Sequence, residues 1–328
     1  MKRTRLVLVG AVLLAACAPG KHSAKAPLLA HDAPQSDKYV LVDNAWLRVR
    51  DTAPERIESR RHPVIMVHGY GSRLETWTLI QPALAESRRV VSYDQRGFGK
   101  SERPGGKYGP AVHARDLVAL ADALELEKPV LVGHSYGGGV VLKAALEHPE
   151  RFAGLVLVDA FALEEQIPSS FRWAKVPGLG EFIFATQFKE VVGEKYILAF
   201  SDQQRFATPE SIGEFRSNMV QEGALYAALH TVRGMDYTRD QKRYNTLRVP
   251  TVIVWGEDDR VTPLADGKKL AGYIDNTRLE VLTRCGHVPP WERPAALLNV
   301  IQELLAVVDG GAAPRARVSS GQGGVATP

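Results

Sequence analysis

The chain has 328 residues, of which 45% are hydrophobic and 24% charged, with 29 Gly and 20 Pro. This composition is typical of a soluble globular protein and excludes a collagen-like, coiled-coil or wholly disordered chain. The formal net charge is only +4, from 41 Lys and Arg against 37 Asp and Glu, so no electrostatic argument favours nucleic-acid binding. The two cysteines, Cys17 and Cys285, provide no disulfide framework.

The N-terminus has the charge and hydropathy pattern of a secretory signal. Lys2, Arg3 and Arg5 precede an apolar run from Leu6 to Ala16, which is too short for the ~20 residues that a membrane-spanning helix needs. Residues 1–16 are therefore predicted to be a signal peptide that is removed. Without its three positive charges the balance is 38 − 37 = +1.

The end of the apolar run, Leu14-Ala15-Ala16-Cys17, resembles the lipobox of bacterial lipoproteins. The resemblance implies cleavage before Cys17 and acylation of its new N-terminus and thiol. It also implies a lipid-anchored protein of the bacterial cell envelope, on the periplasmic or outer face of a membrane. The alternative is ordinary secretion with cleavage after residue 18, which would leave proline, an awkward residue beside a scissile bond, first in the mature chain.

The segments on either side of the folded part are predicted to be irregular. After the lipidated Cys17, residues 18–38 are rich in Ala, Pro, Lys and Ser and are interpreted as a flexible tether with an average reach of roughly 25 Å. Residues 309–328 are rich in Gly, Ala, Ser and Pro and are predicted to be a disordered tail. The folded part is therefore expected over residues 39–308.

Short apolar runs recur along this folded part. Runs without polar alternation are typical of strands that are buried on both faces, as in a parallel sheet. The first two predicted strands flank Asp43-Asn44 and are expected to form a hairpin. Helical spacing between the central runs, at residues 112–124 and 136–147, predicts an α/β fold. The predicted strands are residues 39–42, 46–49, 64–67, 90–93, 129–132, 155–158, 252–255 and 278–282.

The alternation of strands and helices stops after Asp159 and resumes near Pro250. Residues 161–245 have helical patterning and contain 13 of the 25 aromatic residues of the chain. Most of these aromatics are expected to form the core of a small helical insertion. Such an insertion over an active site also contributes one wall of the pocket, which favours a substrate with an apolar group.

A G-x-S-x-G motif, from Gly133 to Gly137, lies between a predicted strand and the helix at residues 136–147. In such a nucleophile elbow the serine, here Ser135, occupies a tight turn whose glycines leave room where a Cβ would collide. The N-terminus of the following helix offers N–H groups to a developing oxyanion. The motif predicts nucleophilic serine chemistry, and the alternative is a glycine-rich turn without chemistry.

A serine hydroxyl needs a base that is oriented by an acid. Asp258 and Asp259 follow one predicted strand, and His287 follows another. Both segments are expected at the carboxyl edge of the sheet, where open α/β sheets bind their ligands. The chain order Ser, Asp, His is the order that this elbow requires.

Residues 39–308 resemble the α/β-hydrolase fold superfamily, in its cap-bearing serine hydrolase branch. The resemblance rests on His68-Gly69-Tyr70-Gly71, the Asp94–Ser101 segment, the Ser135 elbow and the Asp259/His287 pair. It implies a mostly parallel eight-stranded sheet flanked by helices. In that architecture residues 39–160 and 246–308 form the core, and residues 161–245 form an inserted helical cap.

The resemblance also implies the roles of individual residues. Ser135 would be the nucleophile, His287 the general base and Asp259 the acid that holds the imidazole. The backbone N–H groups of Tyr70 and Tyr136 would form the oxyanion hole.

Other residues near these motifs have competing interpretations. Asp258 and Asp159 are alternatives for the acid, although the G-x-x-D spacing of the family favours Asp259. His68 and His134 border glycine turns and are expected to hold loops, and Cys285 is expected to be a buried thiol. Because no Cys/His cluster or P-loop ending occurs, neither a metal nor a cofactor is predicted.

The leading functional hypothesis is a serine hydrolase that cleaves a carboxylic ester of a small-molecule substrate. Hydrolysis of a C–C bond in a diketone-like metabolite, of a lactone, or a perhydrolase reaction could use the same triad. A ligand-binding lipoprotein with a vestigial triad is the non-enzymatic alternative. Ser135 excludes the haloalkane dehalogenases and epoxide hydrolases of this fold, which need an aspartate at that position.

Overall fold

The computed structural model of the chain describes residues 18–20, 23, 25–29, 34–55, 61–186, 188–275 and 277–310. The predicted signal peptide, Cys17 and residues 311–328 of the predicted tail lie outside this part of the chain. None of the helices described is both long and apolar enough to cross a bilayer.

Eight strands form one sheet with the order β1-β2-β4-β3-β5-β6-β7-β8. β1 pairs antiparallel with β2, and β2 pairs antiparallel with β4. Each of the remaining neighbours is parallel, so the predicted mostly parallel eight-stranded sheet is confirmed. The strands are Asp37–Val42 (β1), Ala45–Thr52 (β2), Val64–Val67 (β3), Val90–Tyr93 (β4), Val130–His134 (β5), Gly154–Val158 (β6), Thr251–Gly256 (β7) and Arg278–Leu282 (β8).

Helices flank the sheet and fill the segment between β6 and β7. Four short 3₁₀ helices occur at Leu74–Trp77, Pro149–Arg151, Glu164–Gln166 and Tyr244–Thr246 of the described chain. The α-helices in chain order are Gln81–Ala85 (α1), Pro110–Ala123 (α2), Tyr136–Glu147 (α3), Ser169–Ala174 (α4), Leu179–Thr186 (α5), Phe188–Leu198 (α6), Gln203–Phe206 (α7), Pro209–Asn218 (α8), Ala224–Arg233 (α9), Thr238–Gln241 (α10), Leu264–Tyr273 (α11), Pro289–Glu292 (α12) and Pro294–Val308 (α13).

Different helices cover the two faces of the sheet. Because successive residues of a strand point to opposite faces, neighbouring residues of one strand pack against different helices. Leu131 of β5 packs in one cluster with Leu117 of α2 and Val141 of α3. Val132, the next residue, packs in a second cluster with Ile301 of α13. This burial on both sides explains why the central strands are continuous apolar runs in the sequence.

The segment between β6 and β7 contains helices α4 to α10 and no strand among its described residues. It is joined to the core above the carboxyl ends of the strands. The Tyr70 hydroxyl, in the loop after β3, donates a hydrogen bond to the carbonyl of Ala228 in α9 (2.9 Å). This helical segment therefore lies over the edge of the sheet where Ser135 follows β5.

The N-terminal residues that precede β1 also contact the fold. Gly20 N–H donates to Arg103 O (2.9 Å), and Ser23 N–H donates to a carboxylate oxygen of Glu102 (2.9 Å). The Trp46 indole N–H donates to Ser23 O (3.1 Å). β1 begins at Asp37, two residues before the predicted start of the folded part.

Helix α3 approaches the sheet so closely that two positions exclude a side chain. A Cβ on Gly137, in the first turn of α3, would overlap the carbonyl oxygens of Val67 and His68. A Cβ on Gly133, in β5, would lie 2.6 Å from Val141 Cγ2. Glycine at both positions allows α3 to begin directly above β3 and β5.

We expect Gly137→Ala to lower the free energy of unfolding by about 2–3 kcal/mol, because the added methyl group meets backbone atoms that cannot rotate away. Gly213→Ala is the matched control. Gly213 lies within α8, and a Cβ there would meet no atom within 4 Å, so alanine should stabilise the helix by ~0.5–1 kcal/mol. Urea unfolding measures both changes, and a Gly137→Ala chain as stable as the native one would contradict the close approach.

Candidate active site

Ser135 occupies a strained turn between β5 and α3. Its φ of 52° and ψ of −121° lie in a region that residues with a side chain rarely adopt, at a typical cost of ~1–3 kcal/mol. The backbone is held in place by hydrogen bonds from Ser135 N–H to Val158 O (2.9 Å) and to Ser135 O from Gly138 N–H (2.8 Å). A Cβ on Gly69 would lie 3.1 Å from Ser135 Cβ, so the loop after β3 also packs against the serine.

His287 follows β8 and reaches this serine. Its Nε2 lies 2.9 Å from Ser135 Oγ, and its Nδ1 lies 2.7 Å from Asp259 Oδ2. The backbone N–H of His287 donates to Ala199 O (2.6 Å), which connects the histidine loop to the residues after α6. Ser135, His287 and Asp259 thus form one hydrogen-bonded series in which an imidazole can accept a proton from the serine.

Asp259 is held by donors on both carboxylate oxygens. Oδ1 accepts from the backbone N–H groups of Val261 (2.7 Å) and Thr262 (2.9 Å), and Oδ2 accepts from the Thr262 hydroxyl (2.8 Å). Burial alone would raise the pKa of the Asp259 carboxyl. The attraction of His287 and these hydrogen bonds outweigh burial and hold the pKa below its usual range, so Asp259 carries a negative charge toward the imidazole.

The two alternative acids lie elsewhere. The Asp258 carboxylate is exposed and accepts a hydrogen bond from the Ser201 hydroxyl (2.6 Å). Asp159, at the end of β6, is fully buried and accepts from Gly256 N–H (2.7 Å). Burial and the neighbouring charge of Asp259 raise the pKa of Asp159 well above its usual range. Of the three candidates, the structure brings Asp259 to the His287 ring.

Three further histidines near the site are buried and hold its loops. His68 donates from Nδ1 to Gly69 O (2.7 Å) and accepts at Nε2 from Gln95 N–H (2.9 Å). The Nε2 of His134 lies 2.6 Å from His287 O. His113, which the sequence did not single out, bonds the Tyr136 hydroxyl (2.7 Å) and the Arg96 carbonyl (3.1 Å).

The Asp94–Ser101 segment is a structural loop beside these histidines. The Asp94 carboxylate accepts from Leu74 N–H (2.7 Å) and Lys100 N–H (2.8 Å). A Cβ on Gly99 would overlap that carboxylate. Burial, together with the charge of Glu75, raises the pKa of Asp94 to about 6.

Two positioning residues were missed by the sequence analysis. The Thr262 hydroxyl lies between Asp259 and His287 and is 3.2 Å from His287 Nδ1. Glu292, in α12, accepts from Gly286 N–H (2.6 Å) on one oxygen and from Ser201 N–H (2.8 Å) on the other. Glu292 therefore fixes the histidine loop against the residues after α6. Neither residue belongs to a sequence motif that indicates its contacts.

Ser135 and His287 face a cavity of about 290 Å³. Most of its wall is apolar, eight of the lining residues are aromatic, and both the core and the segment between β6 and β7 contribute to it. The aromatic lining residues of the core are Tyr70, Tyr136 and Trp291, and those of the helical segment are Phe161, Phe171, Tyr196, Phe200 and Phe215.

Among the described residues that line the cavity, three are charged: Arg73, Lys195 and Glu214. Arg73, from the core, forms an ion pair with Glu214 of α8 (Nη2 to Oε2, 2.8 Å). The pair joins the core to the helical segment across the cavity. The wall is therefore apolar with a charged margin, which suits a small organic substrate that has an apolar group.

Within the described part of the chain, His134, Asp159 and His287 present metal-ligating atoms within 4.8 Å of one another. The two nitrogens of His287 already contact Ser135 and Asp259. A metal ion on His287 would have to displace one of those contacts. The arrangement therefore fits a hydrogen-bonded proton relay better than a metal site. Cys285 is buried and has a free thiol, as expected from its place in the sequence.

Comparison with known proteins was made against family models, curated proteins and solved structures. A family model described as the alpha/beta hydrolase fold matches residues 62–294. The 2-hydroxymuconate semialdehyde hydrolase of Pseudomonas sp. (strain CF600) is 31% identical over 265 residues, which cover 76% of this chain and 89% of that protein.

Two solved structures have a similar fold. A thermophilic esterase from Thermogutta terrifontis has a TM-score of 0.68 at 27% identity and covers 83% of this chain and 99% of its own. The enol-lactonase from Burkholderia xenovorans LB400 has a TM-score of 0.69 at 21% identity and covers 82% and 100%. At that lower identity the likeness concerns the fold alone.

The buried His113 predicts a specific dependence of stability on pH. Burial, reinforced by the charge of Arg96, lowers the pKa of His113 to about 3 from its usual 6.5. Between these two pKa values the unfolded chain binds one more proton at residue 113 than the folded chain, so the free energy of unfolding rises with pH. The stabilisation from the neutral, buried histidine is complete above pH 6.5 and is lost as the pH falls. Over pH 6 to 4, His113→Gln should reduce the slope of unfolding free energy against pH by about 1.4 kcal/mol per unit.

Urea unfolding at several pH values and constant ionic strength measures this slope in the native chain and in the variant. Equal slopes in the two proteins would contradict a neutral, buried His113.

Proposed function

The chain belongs to the alpha/beta hydrolase fold family, and we propose that it is a serine hydrolase that cleaves a carboxylic ester through an acyl-enzyme on Ser135. The observation that carries this proposal is the hydrogen-bonded series from Ser135 through His287 to Asp259, at the wall of an aromatic cavity. Its members play the parts of nucleophile, base and orienting acid that acyl transfer requires.

In the acylation step, Ser135 Oγ attacks the ester carbonyl while its proton passes to His287 Nε2, 2.9 Å away. The proton on Nδ1 stays in the hydrogen bond to Asp259, whose negative charge stabilises the imidazolium. His287 then returns the proton from Nε2 to the leaving alcohol. The lowered pKa of Asp259 supports this role, because the carboxylate must remain ionised throughout.

The backbone N–H groups of Tyr70 and Tyr136 are the proposed oxyanion donors. Tyr136 follows Ser135 directly and is the first residue of α3, so its N–H belongs to the positive end of that helix. Tyr70 follows Gly69, whose missing side chain allows the loop to lie against Ser135. Each such donor typically contributes ~3–4 kcal/mol of transition-state stabilisation.

Deacylation needs a water molecule at the position that the alcohol has left. His287 Nε2 takes a proton from this water as the water oxygen attacks the acyl carbon. The bond from Ser135 Oγ to that carbon then breaks, the proton passes from Nε2 to Oγ, and the acid product leaves. The aromatic wall from the helical segment favours an acyl or alcohol group that is apolar.

Hydrolysis of a C–C bond or of a lactone is the second candidate, because the same relay can serve it. The relative at 31% identity is named 2-hydroxymuconate semialdehyde hydrolase, which is the observation that favours this candidate. Lys195, which lines the same cavity, offers positive charge to an acidic substrate of this kind. A substrate panel distinguishes the two candidates.

We also propose that the protein is anchored to a membrane of the bacterial cell envelope by acyl chains on Cys17. The support is the Leu-Ala-Ala-Cys ending of the N-terminal apolar run. Mass spectrometry of the protein purified from bacterial membranes tests the acylation directly.

Replacing the proposed nucleophile should abolish catalysis. We expect Ser135→Ala to reduce the hydrolysis of short p-nitrophenyl esters by at least about 10⁴-fold and to remove labelling by a fluorophosphonate probe. Ser217→Ala, at the exposed end of α8, is the control and should retain both. A parallel assay with a vinylogous diketone substrate ranks the ester against the C–C candidate. Stoichiometric ligand binding without labelling of the native chain would favour the non-enzymatic alternative.

The neighbouring aspartates provide a second matched pair. Asp259→Asn should lower kcat by roughly 10³–10⁴-fold, because a neutral amide neither orients the imidazole nor stabilises its charge. Asp258→Asn should change kcat by less than about threefold, since the Asp258 carboxylate bonds Ser201 instead of His287. A steady-state assay of both variants on one ester measures the contrast, and similar losses in the two would be incompatible with the proposed relay.

A further inference from the structure

Helix α4, helix α5 and the turn between them carry four exposed large apolar side chains at intervals of three residues. Trp173 is 61% exposed, Val176 50%, Leu179 42% and Phe182 49%. We refer to these four residues as the cap apolar patch. Other residues of the same two helices are inside the fold: Ala174 and Phe184 are buried, and Phe171 lines the cavity. The patch is therefore the outer side of the elements that form part of the cavity wall.

Two basic residues, Arg172 and Lys175, lie beside Trp173 and Val176 in the chain. Arg172 donates to the carbonyl oxygens of Ile167 and Glu164, and Lys175 donates to the carbonyl of Met235 (2.5 Å). Glu181, the acidic residue of α5, is paired with Arg233 (2.9 Å). Basic residues beside exposed apolar side chains are complementary to a lipid surface with anionic headgroups.

The N-terminal segment leaves the fold near the same helical region. Gly20 N–H donates to Arg103 O (2.9 Å), and a Cβ on Gly223 would collide with Gly20 N, so Gly20 lies against the turn that precedes α9. Cys17 is three residues before Gly20, and three residues span at most ~11 Å. Acyl chains on Cys17 would therefore enter a membrane within about that distance of Gly20.

Helix α9 connects this exit point to the patch. It begins after Gly223 and ends at Arg233, a length of ten residues or ~15 Å. At its far end, Arg233 donates to Ala174 O (3.3 Å) and forms the ion pair with Glu181, which places α4 and α5 there. A membrane that holds the chain at one end of α9 is within reach of the apolar side chains at the other end.

We propose that the cap apolar patch docks on the membrane that holds the lipid anchor, with Trp173 and Phe182 inserted where the headgroups meet the acyl chains. This inference rests on the acylation of Cys17 proposed above and is independent of the chemistry at Ser135. Tryptophan suits this position, because its ring prefers the boundary between headgroups and acyl chains. The wall of the cavity then lies next to the lipid surface, and an ester dissolved in the membrane reaches Ser135 with a short path through water.

The test uses the full acylated chain in vesicles of phosphatidylethanolamine and phosphatidylglycerol whose acyl chains are brominated. Bromine quenches tryptophan that is inserted among these chains. We expect quenching in the native chain and, equally, in Ser135→Ala, so that docking is measured apart from catalysis. In Trp173→Phe most of this quenching should disappear, although Trp46, Trp77, Trp255 and Trp291 remain.

A second pair of variants tests the rest of the patch. Val176→Ser combined with Phe182→Ser should lower the quenching constant of Trp173 at least about threefold, because less apolar surface is inserted. Leu41→Ser combined with Val281→Ser, at two exposed sites on the edge strands β1 and β8, should leave it unchanged.

Three results would overturn the proposal. The first is equal quenching in the native chain and in Trp173→Phe, and the second is no quenching at all. The third is a native chain that forms a dimer and is not quenched, with a weaker dimer in Val176→Ser/Phe182→Ser. This result would assign the patch to contact with a second copy of the chain.

Discussion

The positive φ of Ser135 is the constraint on which the site depends. This conformation makes a sharp turn between β5 and α3. In such a turn the serine hydroxyl is exposed at the edge of the sheet. Such a conformation persists only where the surroundings enforce it. Here Gly69, Gly133 and Gly137 remove the side chains that would collide, and hydrogen bonds to Val158 and Gly138 fix the backbone. The loops after β7 and β8 bring Asp259 and His287 to the Ser135 hydroxyl.

Burial and hydrogen bonding give the titratable groups around Ser135 different charges. Asp159 and Asp259 are both buried, but only Asp259 has the donors that keep its carboxylate ionised. The surrounding histidines are held in their neutral form, because burial disfavours the charged imidazolium and lowers the pKa. For His134 the pKa is about 3. The negative charge therefore lies beside the His287 ring, where the proposed mechanism requires an imidazolium to be stabilised.

The helical segment between β6 and β7 makes different contacts on its inner and outer sides. Its inner side supplies most of the aromatic wall of the cavity, and its residues after α6 hold the histidine loop through His287 N–H and Glu292. Its outer side carries exposed apolar side chains near the point where the N-terminal segment leaves the fold. The same element thus lines the cavity, holds the loop of His287 and faces the proposed membrane.

The sequence by itself determined the parallel strands, the elbow at Ser135 and the presence of His287 after a later strand, because continuous apolar runs and glycine spacing are local patterns. It left three aspartates as candidate acids and gave no indication of Thr262 or Glu292. Only the tertiary structure decided which carboxylate reaches the imidazole, which side chains line the cavity, and where Gly20 packs. These are distances between residues far apart in the chain, and they depend on how α3, β7, β8 and the helical segment pack together.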